Sequence, residues 1–143
     1  MPENVKRYPF KNVDLASHAV FAVSNGGFER GKQYCLRWVR EVVENKTRKP
    51  WSVPRGSDAW EAAQELTKQG LSVPAIRGSK IGDVLFQKPT PRNPHGHVGV
   101  RVAGNRVAEN WSGHWRADRP DSRGFRTLEE FGRVDCIIRL GTD

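Results

Sequence analysis

Cysteine is scarce in this chain, with two among 143 residues. That excludes a disulfide-rich scaffold, and the length is enough for one domain, residues 1–143, to bury a core of its own. Methionine occurs once, at the start. No apolar run approaches the length of a membrane span, so stable membrane insertion is not expected. Met1 to Arg7 is polar and has no apolar signal core behind it. The chain is therefore expected to be made in the cytoplasm and to reach any outside target by another route. Cys136 lies in the apolar strand-like run Val134 to Leu140 and reads as a core residue, and a Cys35–Cys136 disulfide is not expected under those conditions. No Cys-x-x-Cys spacing occurs, and His95 and His97 are only two apart, so neither a metal nor another cofactor is expected. Phosphate-cradling and dinucleotide-binding glycine patterns are missing, as are internal repeats and low-complexity segments.

Acidic residues are the minority. Sixteen Asp and Glu face 24 Lys and Arg, for a net charge of +8. Such an excess favours polyanionic partners: nucleic acid, acidic membranes or an anionic cell wall. The basic residues are spread along the whole chain and form no helical stripe, which weighs against nucleic acid. With 36% hydrophobic and 28% charged residues, the composition is that of a globular protein.

The patterning changes along the chain. Residues 1–11 read as an extended arm. Val13 to Val23 reads as a helix with Asn12 or Asp14 as cap, ended by Asn25-Gly26-Gly27. A second helix begins just upstream of Cys35 and runs to Asn45, with Leu36, Val39 and Val43 at helical spacing. Residues 46–56 form a loop. Ser57 is the expected N-cap of a third helix, Asp58 to Gln69, and Gly70 its stop. Strands follow at Asp83–Phe86, His97–Val102, Arg106–Trp111 and Val134–Leu140. A loop is expected over 112–126 and a helical turn over 127–131. Helices first and a meander of strands later make an α+β domain.

Cys35 alone reads as a small buried hydrophobe. Its place in the first turn of a helix, however, favours the thiolate, through the dipole and unpaired backbone N–H groups. A thiol nucleophile needs a base. Of the four histidines, His18 reads as structural, and His95 and His114 fall in loops. His97 opens a strand between glycines, where geometry is fixed. Its orienting partner must come from the next strand, and side chains alternate there. A three-residue loop, Ala103 to Asn105, puts Glu109 on the His97 face; a two-residue Gly104-Asn105 turn puts Asn110 there instead. Local turn chemistry leans to Asn110.

These motifs, in this order, resemble the NlpC/P60 and CHAP cysteine peptidases. The set is a Cys at a helix start, Gly82-Asp83-Val84, Gly96-His97-Val98-Gly99-Val100, and a polar residue on the next strand. The resemblance spans about residues 30–111. It implies a papain-like fold, Cys35 as nucleophile, His97 as base, Glu109 or Asn110 as the third member, and bacterial peptidoglycan as substrate. It also implies an enzyme acting on the wall as a monomer: a phage endolysin released through a holin, or a toxin exported by a secretion apparatus. The sequence departs from the usual residues at Tyr34-Cys35-Leu36-Arg37, and Gln33 stands two before the cysteine rather than one. Trp111 and Trp115, with His114, are candidates to wall a substrate groove; covering the core under the 112–126 loop is the other reading. Arg116, Arg119, Arg123 and Arg126 either bind an anionic polymer or form a solvated face. A basic nucleic-acid-binding domain and a papain-like hydrolase of another amide remain as alternatives.

Overall fold

The computed structural model describes residues 7–25, 35–47, 53–56, 58–74, 78–114 and 123–143. Within them lie helices α1 (Asn12–Asn25), α2 (Cys35–Thr47), α3 (Ala59–Lys68) and α4 (Leu128–Phe131). The strands are β1 (Ser72–Val73), β2 (Val84–Gln87), β3 (His97–Val102), β4 (Arg106–Asn110), β5 (Arg123–Thr127) and β6 (Cys136–Ile138). They form one antiparallel sheet in the order β1-β6-β2-β3-β4-β5. The protein is thus α+β, as its patterning implies.

The first three helices cover one face of the sheet. Alternation sends Val84, Phe86, Val98, Val100, Ala108 and Ile138 toward them, all fully buried. On α2 the stripe Leu36, Val39 and Val43 is buried, with Trp38 and Val42 beside it, while Arg37 and Glu41 pair on the outside at 3.5 Å. On α3 the buried residues are Ala59, Ala62, Ala63 and Leu66, and three alanines let the helix lie close to the sheet. Each large apolar side chain buried here contributes about 1.5–3 kcal/mol. The N-cap of α3 is Asp58 rather than Ser57, which lies outside the described residues. Its carboxylate accepts the Glu61 N–H at 2.8 Å. Gly70 stops the helix at φ +81°, a conformation that costs glycine nothing.

The opposite face carries a smaller core of Leu85, Val107, Ile137 and Phe131. Phe131 comes from α4, a helix of one turn fixed by a capping box: Thr127 Oγ1 accepts the Glu130 N–H, and the Glu130 carboxylate accepts the Thr127 N–H.

At the start of β2, Asp83 is fully buried and receives two hydrogen bonds from Arg139, at 2.9 and 2.8 Å, and one from Asn12 Nδ2 at 2.8 Å. Asn12 is therefore a tie between segments rather than a helix cap. Residues 7–11 of the expected arm run along the C-terminal segment: Tyr8 N–H donates to Leu140 O, and Lys11 bridges Thr142. Residues 1–6 lie outside the described residues.

Three expectations need correction. The 112–126 stretch is not all loop: Ser112–His114 is a 3-10 turn, and β5 begins at Arg123. The last strand is shorter than 134–140, spanning Cys136–Ile138, and pairs with the unforeseen β1. Cys136 is only half-buried, 3.5 Å from Thr67 Oγ1, so it is not a core residue. Both cysteines are free thiols. Among the described residues, no helix is long and apolar enough to cross a membrane.

Candidate active site

β3 pairs with β4 through a three-residue turn. Val102 lies opposite Arg106, and Gly99 opposite Glu109. Glu109 therefore shares a face with His97, and Asn110 points to the other one. The local preference for a two-residue Gly-Asn turn is overridden by contacts around the loop. Arg106 Nε donates to Ala103 O, Arg101 Nη2 donates to Asn105 Oδ1, and the Leu128 N–H donates to Asn105 O.

His97 opens β3 and is buried. Its Nε2 lies 2.7 Å from Glu109 Oε1. That leaves Nδ1 for the thiol of Cys35, which is near enough to His97 to favour its protonated form. Cys35, the first described residue of α2, reaches the site from the helix side and borders a cleft of about 120 Å³. Arg37, Arg40, Asp58 and His95 line the same cleft. Gln33 and Tyr34 lie outside the described residues.

Two influences oppose each other at His97. Burial, the largest, disfavours the imidazolium. Hydrogen bonds to Cys35 and Glu109, with the charges of both, outweigh it and raise the pKa to about 9. At Glu109 burial likewise disfavours the charge. The hydrogen bonds from His114, His97 and Arg126 prevail and hold the carboxyl well below the ordinary carboxylate range. The arrangement is a thiol, an imidazole that holds its proton near neutrality, and an ionised carboxylate behind it. Such a set can deliver a nucleophile and return a proton.

Asn110 does not join this set. It is buried on the helix-facing side of the sheet, and neither its Oδ1 nor its Nδ2 has a hydrogen-bond partner. Trp111 lies against the back of the set: its ring packs on the Arg126 guanidinium at 3.7 Å and meets the His114 ring edge-on at 5.2 Å. Trp115, Arg116 and Arg119 lie outside the described residues.

Two neighbours of Glu109 correct the roles expected from the sequence: His114 is not a groove wall, and Arg126 is neither on an anionic polymer nor on a solvated face. His114 Nε2 lies 2.9 Å from Glu109 Oε2, and Arg126 donates to both carboxylate oxygens, at 2.5 and 2.9 Å. The available signal is the Gly124-Phe125-Arg126 alternation, which on a strand beside β4 sets Gly124 across from Glu109. Among the described residues, no group of three or more His, Cys, Asp and Glu side chains is placed to hold a metal ion.

No family model matches this chain, and no curated protein matches its sequence. Solved structures do match. The NlpC/p60 domain of the peptidoglycan hydrolase SagA aligns with a TM-score of 0.54 at 18% identity, covering 90% of this chain and 98% of that one. Ly7917, solved with the hydrolyzing product of MDP, aligns with a TM-score of 0.54 at 19% identity, over 90% of this chain and 63% of the other. A second Ly7917 structure gives 0.52 at 16% identity, over 87% and 62%. This chain thus spans less than two thirds of Ly7917. At such identities the likeness is one of fold, and the fold is the NlpC/P60 type of the papain-like class.

Proposed function

We propose that this NlpC/P60-type domain is a cysteine hydrolase that cleaves an amide bond in bacterial peptidoglycan. One observation carries the reading: the buried His97, whose charge Cys35 favours, is held through Nε2 by the buried carboxylate of Glu109 at 2.7 Å. Cys35 attacks the amide carbonyl as the thiolate, and the carbonyl oxygen takes up negative charge. The backbone N–H of Cys35, at the start of α2, is suited to hold that charge. His97 gives its proton to the leaving amine, and a thioester remains on Cys35. His97 then takes a proton from water, whose hydroxide cleaves the thioester and releases Cys35 as the thiolate beside the protonated His97. Glu109 fixes the ring orientation and stabilises the imidazolium throughout.

The substrate class is supported by the SagA domain, named a peptidoglycan hydrolase, and by the net charge of +8, which suits an anionic wall. The bond cut is either the N-acetylmuramoyl–L-alanine amide or a peptide bond of the stem or cross-bridge, and the protein acts at the wall. Turbidity of purified cell walls tests this. Cys35→Ala should lose at least about 10³-fold of clearing activity while still sedimenting with walls. Clearing at the wild-type rate by that variant would rule the mechanism out. Mass spectrometry of the released fragments identifies the bond.

A further inference from the structure

A carboxylate that only oriented His97 would need one acceptor contact. Glu109 is fully buried and makes four: His97 Nε2 at 2.7 Å, His114 Nε2 at 2.9 Å, and Arg126 Nε and Nη2 at 2.5 and 2.9 Å. The strands beside β4 are shaped for these contacts. Gly99 faces Glu109 from β3, and a Cβ there would lie 2.5 Å from Val107 Cγ1 and 3.4 Å from Glu109 Cβ. Gly124 faces Glu109 from β5, and a Cβ there would lie 2.7 Å from the His114 ring. One glycine lets β3 lie close against Val107 and Ala108 of the strand that carries Glu109, and the other leaves a seat for His114.

Arg126 is held as firmly as the group it binds. Its guanidinium lies between the rings of Trp111, at 3.7 Å, and Phe131, at 5.4 Å. Phe131 also touches the His97 ring at 5.6 Å, and its carbonyl accepts a hydrogen bond from Gln87 Nε2 at 2.7 Å. A one-turn helix has little packing of its own, yet α4 carries a full capping box. What that box secures is Phe131, the common floor under His97 and Arg126.

We infer that Arg126 and His114 are positioning residues that hold the Glu109 carboxylate charged and aimed at His97. The inference rests on the Cys35–His97 hydrolase reading for its consequence, though not for its geometry. The charged and titratable groups around the site come from every neighbouring element: Cys35 from α2 beyond His97, His97 from β3, His114 after β4, Arg126 from β5, and Glu130 from α4 beside Arg126 and His114. Without the guanidinium, two bonds and a full positive charge leave a buried carboxylate. Burial then favours its protonated form, which can no longer support an imidazolium at His97.

Two readouts test this on the whole protein. The first is the ¹³C signal of the Glu109 carboxyl in glutamate-labelled protein, assigned by its loss in Glu109→Gln. In the wild type it should keep its ionised position from pH 7 down to about pH 3. In Arg126→Gln it should titrate inside that range, with Arg126→Lys between the two because charge is kept and the bidentate fork lost. His114→Gln, which leaves Arg126 in place, should move it the same way by less. The second is iodoacetamide alkylation of Cys35, read by peptide mass. Arg126→Gln should slow it about tenfold at pH 5 relative to wild type and leave it close to wild type at pH 9. A merely structural loss would slow both equally. A Glu109 signal that stays ionised to pH 3 in Arg126→Gln and His114→Gln overturns the inference, and so does an alkylation ratio independent of pH. Neither result depends on wall clearing, so failure of the hydrolase reading shows separately, as clearing that persists in Cys35→Ala.

Discussion

Raising the pH removes the proton that His97 holds between Cys35 and Glu109, and the folded protein should lose stability with it. In an unfolded chain that imidazole titrates near 6.5; in the native site it titrates at about 9. A group whose native pKa is raised stabilises the fold fully below its unfolded value, and the contribution fades as pH climbs through the native one. The gap corresponds to roughly 3 kcal/mol, present at pH 6 and gone by pH 10. Glu109 works in the other direction. Its lowered carboxyl stabilises above its ordinary 4.5 and ceases to as pH falls. The site therefore contributes most between about pH 4.5 and 6.5. Urea denaturation at pH 6 and pH 10 measures the alkaline arm. His97→Gln is the control, since its amide N–H still reaches Glu109 but carries no titrating proton. The wild type should lose about 3 kcal/mol more than His97→Gln over that interval. Equal losses in the two proteins, to within about 0.5 kcal/mol, would show that His97 does not keep its proton in the fold and would undo the electrostatic account of the site.

Two other outcomes follow from the geometry and the charge. Gly99→Ala drives a methyl to 2.5 Å from Val107 Cγ1 and 3.0 Å from the Ala108 carbonyl. It should cost about 1–3 kcal/mol in calorimetry and slow wall clearing by shifting the strand that carries Glu109; a fully active, equally stable variant would refute that packing. Because wall attachment is assigned to the net charge of +8, sedimentation with walls should fall steadily as NaCl rises from about 0.05 to 0.5 M, and binding indifferent to salt would contradict it.

The helices and the central strands are legible in the sequence because each carries a single clear period. The α2 stripe and the alternation in Val98-Gly99-Val100-Arg101-Val102 need no knowledge of partners. Cys35 and His97 are legible for a related reason: a cysteine at a helix start and a histidine opening a strand are local facts. The third residue is not local. Which of Glu109 and Asn110 meets His97 depends on one residue of hairpin register, and that register is held by Arg101, Arg106 and Leu128 through contacts with the turn. β5 is hidden for another reason. Its residues Arg-Gly-Phe-Arg-Thr look like a solvated loop because a half-buried arginine announces itself only through its partner. Arg126 is held there by Glu109 together with the Trp111 and Phe131 rings, and nothing adjacent in sequence says so.

The pinning of residues 7–12 against residues 139–142 has a practical side. Asn12 N–H donates to Thr142 O at 2.7 Å, so the chain enters and leaves this fold at one spot. That spot is beside Asp83, where β2 starts, whereas His97 pairs with Gln87, where β2 ends. The Cys35 cleft and the junction of the two terminal segments are thus at opposite ends of the same strand, roughly 10 Å or more apart. A tether, label or targeting module joined after Thr142 would therefore leave from the end of β2 away from the cleft.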